Sequence, residues 1–318
     1  MIVCTVTCSN NLHRAKVMAR SVKQFHPEAR TVVCLLEEGL HPAARYEGFD
    51  EVVLARDLGI DRFYPFLFKY NVYEGSCAMK PFILEYAMTK YGDGHHFLYL
   101  DTDMRLYHRL DEIEERLDRH AVILTPHQLE MLGNTPSYLF YGPYNAGAVA
   151  VARSSRAKAF LDWWKERLYR YCYFDSRFFL DQRWLNLAPV LFDAHILKHP
   201  GYNMAAWNVA EAGRRIVSWT DGIRLRDGHP LCLFHFTCLD GFLQTAIQYT
   251  YPDPDEVLRR LLDPYLAELE EMGKSELAAV PWSYNFFRNG KPISEEDRLR
   301  FRQLAAGGSG EMNPYLSP

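Results

Sequence analysis

Over its first 126 residues the chain alternates short apolar runs with longer helical patterns, and that order restricts the folds open to it. The runs are "IVCTVTC" (2–8), "TVVCLLEE" (31–38), "DEVVLA" (50–55), "FLYL" (97–100) and "AVILTP" (121–126). Each is short, apolar and bounded by polar residues, as strands are. "SNNLHRAKVMARSVKQFHP" has helical spacing, with Ser9 or Asn10 placed to cap it and Pro27 beyond its end. "MKPFILEYAMTKYG" is a second helical pattern, closed by Gly92. Strands alternating with helices predict an α/β fold with a mostly parallel central sheet flanked by helices. In such sheets ligands bind outside the carboxyl ends of the strands.

One strand end stands out. "HHFLYLDTDMRLYHRL" passes from Phe-Leu-Tyr-Leu straight into Asp101 and Asp103, with one residue between them. Side chains alternate faces along a strand, so both carboxylates would point the same way. Two adjacent carboxylates repel unless a cation lies between them, and a divalent metal fits that need. The competing reading is a solvated loop in which Asp101 caps a turn. The polar "TCSNN" after the first strand falls at an equivalent strand end, and the coincidence favours a site.

Composition narrows the partners. The 318 residues carry a net charge of −4 and no long basic block, which disfavours nucleic acid. Seven scattered cysteines without a C-x-x-C suggest reduced thiols in a cytosol. "MIVCTVTCSNN" lacks the pattern of a signal peptide, and no stretch reaches the roughly 18 apolar residues of a membrane span. A cytoplasmic protein is expected. "RAKAFLDWWKERLYRYCYFDSRFF" mixes basic and aromatic residues, and two readings stay open for it. It is a helix with its aromatic stripe in the core, or a surface making peripheral contact with the inner face of a membrane. Neither G-x-G-x-x-G after the first strand nor a P-loop is present, so the usual dinucleotide and P-loop fingerprints are missing.

Further on, helical patterns cover "RAKAFLDWWKERLYRY" and "FFLDQRWLNLAPVLF", with a short strand at "PLCLFHF". The expected division is one domain over 1–250, a C-terminal helical extension over 251–305 and a mobile tail over 306–318.

Four pieces join the aspartates in order: "YNAGAVAVARS" with Asn145, "FFLDQRWLN" with Asp181 and Gln182, "HPGYNMAAWN", and "LFHFTCLDG" with His235. Together they resemble, over about Ile2 to Gly241, the GT-A fold of nucleotide-sugar glycosyltransferases, most closely family eight and its bacterial relatives. The resemblance implies a retaining, metal-dependent transferase moving a hexose from a UDP-sugar to a carbohydrate or lipid-linked glycan. It implies Asp101, Asp103 and His235 as ligands of Mn²⁺ or Mg²⁺, with Asp101 also near the ribose. Thr7, Asn10, Asn11, Thr102 and Lys80 would face the nucleotide and its phosphates, and Asn145, Asp181 and Gln182 the donor sugar. His127, in "LTPHQLEM", has no clear counterpart in the resemblance and is expected near the cleft. The hard oxygen ligands suit either ion, and the imidazole tilts the choice toward Mn²⁺.

The chain also departs from the pattern. Family eight usually places a lysine soon after its His-Phe, and "HFTCLDGFLQTA" has none. Either another cation such as Lys80 takes its role, or metal and backbone alone neutralise the leaving group. Two alternatives remain: a sugar-nucleotide pyrophosphorylase or hydrolase, and a non-catalytic carbohydrate-binding protein on the same fold. The first would carry a Gly-rich loop after its first strand; the second would have lost a metal ligand.

Overall fold

The computed structural model describes residues 1–306 and 313–316, apart from Ser176 and Asp240. The apolar runs form β1 (Ile2–Thr7), β2 (Arg30–Leu35), β3 (Glu51–Leu54), β4 (His96–Leu100), β5 (Met104–Leu106), β6 (Val122–Pro126), β7 (Tyr144–Ala152) and β8 (His195–Ile196). All but β5 join one sheet, in the order β3-β2-β1-β4-β7-β6-β8. β1 runs parallel to both β2 and β4. β7 is antiparallel to β4 and β6 on its two sides. The sheet is therefore mixed, with a parallel half of β3, β2, β1 and β4. Chain order reverses across the β1–β4 pair, which is where such sheets leave a crevice.

A second sheet stands over that crevice. Met204–Ala205 is β9, Ile216–Ser218 and Arg224–Leu225 pair as a hairpin (β10, β11), and Leu233–His235 is β12. The three-stranded order is β5-β12-β9. Its register sets His235 opposite Met104, and Phe236 N–H donates to Asp103 O at 2.7 Å. The strand leaving the aspartates is thus the strand that receives the histidine.

Helices cover both faces of the main sheet. Leu12–Phe25 follows β1 after a short 3₁₀ turn at Ser9–Asn11. The expected side-chain cap is absent: neither Ser9 nor Asn10 caps it, and Ser9 N–H instead donates to Glu37 Oε1 at 2.9 Å. A carboxylate from the end of the second apolar run does from outside what a local cap would do. Val72–Lys90 is capped by Asn71 and Glu74, each bonding the other's backbone N–H. Ser154 caps Ser155–Tyr171, which buries Phe160, Leu161, Trp164 and Leu168 in the core. That favours the core reading of this aromatic segment, though Phe174 just beyond it is 61% exposed.

"FFLDQRWLNLAPVLF" departs from the helix expected there. Phe179 (φ 39°) and Leu180 (φ 62°) have left-handed backbones, which a right-handed helix cannot contain. Asp175 Oδ1 accepts the N–H groups of Arg177 and Phe178, and Leu180 N–H donates to Tyr173 O, closing a turn instead. Only then do a 3₁₀ turn, Arg183–Leu187, and a short helix, Ala188–Phe192, follow. Apolar spacing concealed the turn because buried Leu180 would occupy the same periodic slot in a helix.

Helical segments fill 242–277, and Glu295–Ala306 forms a last helix. Residues 282–306 run back over the aromatic end of the core. Arg298, 4% exposed, donates to the carbonyls of Phe68, Tyr70 and Tyr284, and Arg302 pairs with Glu74. Of the tail expected over 306–318, residues 307–312 and 317–318 lie outside the described residues. A mobile tail is not what Tyr315 shows: it is 1% exposed and sits against Phe68, Tyr284 and Tyr64 at ring-centroid distances of 5.0, 5.4 and 6.1 Å. Tyr315→Ala should lower unfolding stability by about 3–5 kcal/mol through the cavity it leaves. Urea denaturation followed by fluorescence reads this; a tail that did not pack would give no change.

Candidate active site

A cavity of about 680 Å³ opens at the carboxyl ends of β1 and β4. Thr7, Asn10, Asn11, Lys80, Asp101, Thr102, Asp103, Asn145, Asp181, Gln182 and His235 all line it, and so does His127. Residues some 230 positions apart in the chain thus share one wall system. β1 brings Thr7, and the turn after it brings Asn10 and Asn11. Tyr73, Ser76, Cys77 and Lys80 come from one face of Val72–Lys90, at the spacing that stacks side chains along a helix.

Asp101, Asp103 and His235 meet at one point. One potential ligand atom from each lies within 4.8 Å of the others. His235 Nε2 is 3.1 Å from Asp103 Oδ1, and Asn203 Oδ1 lies 3.4 Å from His235 Nδ1. With Nδ1–H directed at Asn203, Nε2 is the nitrogen presented to the carboxylates. Asn203 has a left-handed backbone (φ 53°), which asparagine tolerates better than most residues. Burial opposes charge on Asp103, yet His235 and Arg14 hold its carboxyl down at about 2. Burial pulls His235 downward, and Asp103 and Asp101 more than reverse it.

Two oxygens and an imidazole nitrogen, gathered at a cavity wall, form a donor set for a hard or borderline divalent ion. The backbone makes room for it. The β6–β7 register slips between Leu124↔Val149 and Thr125↔Asn145, and in that irregularity Asp101 N–H donates to Gly147 O at 2.8 Å. A Cβ on Gly147 would fall 2.7 Å from Asn145 Oδ1, 2.8 Å from Asp101 Oδ2 and 2.8 Å from His235 Cε1. Only glycine leaves the cluster undisturbed.

Beside the cluster lies a second group. Lys80 Nζ is 2.9 Å from Asp181 Oδ2 and 3.1 Å from Asp101 Oδ1, and it donates to Ala146 O at 3.1 Å. The Ala146 carbonyl takes a hydrogen bond and the two carboxylates are ion-pair partners, Asp181 Oδ2 having no hydrogen-bond partner of its own. Burial disfavours the ammonium, but the two carboxylates outweigh it and raise Lys80 well above its ordinary range. At Asp181 burial raises the carboxyl, and Lys80 draws it back only in part. Gln182 Oε1 accepts from Asn145 Nδ2 at 3.1 Å and from Ala146 N–H at 3.3 Å, while its Nε2 donates to Tyr141 O. Asn145 Oδ1 accepts Gly147 N–H at 3.0 Å. The amides therefore hold each other, and Asp181 is aimed by Lys80.

Three residues of the site carried no assigned role in the sequence reading. Arg14 lines the cavity with Nη1 3.6 Å from Asp103 Oδ2. Trp207 sets its ring edge-on to His235, with centroids 5.2 Å apart. Asn203 orients His235 as described. Trp207 and Asn203 belong to "HPGYNMAAWN", which was singled out without individual roles. Arg14 gave no signal, since one arginine in a helical pattern reads as solvated. His127 proves to be walled in: Gly142 O lies 3.0 Å from its Nδ1, and burial lowers its imidazole to about 3. It is a neutral member of the wall.

Two uncharacterized proteins of Bacillus subtilis (strain 168) are similar to this chain. YfnF is 25% identical over 247 residues, 74% of this chain and 80% of its own length. YfnD is 26% identical over 219 residues, 64% of this chain and 67% of its own. No family profile matches the sequence. Among solved structures, the galactosyltransferase LgtC in complex with donor and acceptor sugar analogs superposes with a TM-score of 0.53 at 16% identity, over 88% of this chain and 98% of that one. At that identity the likeness is one of architecture: this chain has the GT-A fold.

The Gly147 contacts give a test of the cluster. Gly147→Ala should push Asp101 and His235 apart and weaken Mn²⁺ binding about 10–100-fold, the usual effect of disturbing the support of a ligand. Calorimetric titration of Mn²⁺ into wild type and variant measures it.

Proposed function

We propose that this chain is a metal-dependent, retaining glycosyltransferase that moves a hexose from a UDP-sugar to a carbohydrate or lipid-linked glycan. The observation that carries the reading is the Asp101–Asp103–His235 cluster beside Asp181–Lys80 and Asn145–Gln182, in one cavity of a GT-A fold. Its donor set favours Mn²⁺ or Mg²⁺. Held there, the ion would supply Lewis-acid neutralisation of the diphosphate leaving group.

The protein's own residues supply position. Thr7, Asn10, Asn11 and Thr102 face the nucleotide from the ends of β1 and β4. Asn145, Gln182 and Asp181 present amides and a carboxylate to the sugar hydroxyls, already oriented by one another and by Lys80. What supports retention is which carboxylates are free. Among the described residues the cavity's carboxylates are Asp101, Asp103 and Asp181. The first two belong to the cluster, and the third is paired with Lys80. That leaves no spare base to deprotonate an acceptor on the far face of the sugar. The acceptor hydroxyl then attacks from the leaving group's own face, and its proton passes to the departing phosphate oxygen.

The acceptor would enter past the aromatic rim. Phe140, Tyr141 and Phe179 pack edge to face there, with Leu139 (86% exposed) and Phe174 nearby. An apolar rim beside a polar cavity supports a lipid-linked glycan as readily as a free one, with peripheral contact at a membrane's inner face. Among the described residues no helix is long and apolar enough to cross a membrane. All seven cysteines are unpaired, which supports a cytoplasmic location.

Incubation with a panel of nucleotide sugars and Mn²⁺ tests the reading. A nucleoside diphosphate should be released from one of them, release should stop in EDTA, and added Mn²⁺ should restore it. The product's anomeric proton should show α linkage from an α-linked donor; a β coupling would exclude retention. A pyrophosphorylase would need pyrophosphate, and a lectin would release nothing.

Asp181→Asn probes the sugar side alone. It should slow transfer at least 100-fold while UDP affinity stays within a few-fold of wild type, because the substitution touches the sugar and not the nucleotide. Single-turnover kinetics alongside UDP calorimetry separates the two effects.

A further inference from the structure

A diphosphate leaving this cavity gains negative charge as its bond to the sugar breaks, and a side-chain cation with free capacity facing it would add to what a metal ion supplies. Among the described lining residues the side chains with a fixed positive charge are Lys80 and Arg14. Lys80 is committed: it is 4% exposed, donates to the Ala146 carbonyl and is ion-paired with both Asp101 and Asp181. The segment from His235 to Ala246 contains no lysine or arginine.

Arg14 is differently placed. It lies in the first turn of Leu12–Phe25, the helix that leaves the cavity end of β1, where the helix dipole also favours an anion. Its side chain is 31% exposed, and Nη1 reaches only to 3.6 Å from Asp103 Oδ2, a loose pairing. Its Nε is buried with no hydrogen-bond partner. A guanidinium that lines the cavity, is about a third exposed and is held by one loose pairing has hydrogens to give to a ligand. Its planar fork matches two phosphate oxygens at once.

We propose that Arg14 is the residue that grips the distal phosphate of the nucleoside diphosphate. It is the cation that takes up charge when the bond from sugar C1 to phosphate oxygen breaks and C1 bonds to the acceptor oxygen. This rests on the glycosyltransferase reading above and adds to it a residue that the order of motifs did not indicate. Lys80 is thereby relieved of the phosphate role and left to orient Asp101 and Asp181.

The test uses the full chain with Mn²⁺ and whichever of UDP, GDP, ADP and dTDP binds wild type by calorimetry, together with the matching nucleoside monophosphate. Arg14→Met should weaken the diphosphate about 10–100-fold, the range for a charge-assisted hydrogen bond, and leave the monophosphate within about twofold. Arg14→Lys should recover part of the loss, since it restores charge without the fork. Mn²⁺ affinity without nucleotide should not fall in either variant. Unchanged diphosphate binding in Arg14→Met overturns the inference alone. Equal losses for diphosphate and monophosphate, or a loss of Mn²⁺ binding by itself, also overturn it, because Arg14 would then be shaping the carboxylate cluster. A wild-type chain that binds none of the four nucleotides removes the glycosyltransferase reading and this inference with it.

Discussion

A buried ammonium fixes the arrangement on which everything else in this cavity depends. Lys80 joins three pieces of chain that are far apart in sequence: the end of β4 through Asp101, the irregular start of β7 through the Ala146 carbonyl, and the turn that carries Asp181. Left unpaired, a desolvated charge of this kind costs several kcal/mol, and so does the Asp181 carboxylate beside it. Each makes the other tolerable only at short range. The spacing between the Asp101–Asp103–His235 cluster and the Asn145–Gln182 amides is therefore set by an ion pair, with the Tyr99 ring 4.9 Å from the same nitrogen. Asp101 belongs both to that cluster and to the Lys80 ion pair, and links them.

The backbone serves the same end. Register in the small sheet delivers His235 to Asp103, and the slip in β6–β7 brings Gly147 against Asp101 with no side chain between. The first is a regular ladder; the second gives up ladder geometry where the cavity requires a close approach, as proteins commonly do beside functional sites.

Much of this was legible in the sequence because the relevant signals are local. Apolar runs of strand length marked β1, β2, β3, β4 and β6, since a buried strand has to be apolar over its whole length. Asp101 and Asp103 were conspicuous because charge ended such a run abruptly. What stayed hidden depends on contacts between distant residues. Helical spacing could not reveal that Phe179 and Leu180 turn left-handed, nor that Glu37 would take the Ser9 N–H of the turn leading into the first helix. Lys80 was noticed for its position, but its partners were not, because a sequence does not show which acceptors will saturate a cation. Arg14 is the converse case, ordinary in sequence and distinctive only through what it leaves unbonded. Tyr315 itself is held by aromatic packing, which the composition of the sequence around it did not signal.

The helix that carries Lys80 depends on residues made much later. Its capping residue Glu74 pairs with Arg302, 228 positions onward, and Phe68 just before it is covered by Phe287, Phe301 and Tyr315. Chains emerge from the ribosome N-terminal end first, and contacts this distant in sequence form slowly. Throughout that interval the half-made protein displays an aromatic surface around Phe63 and Phe68 with nothing to cover it. The helix that bears Lys80 therefore gains its full covering only once the chain has been made as far as Arg302 and Tyr315, so the cavity wall is completed late in synthesis.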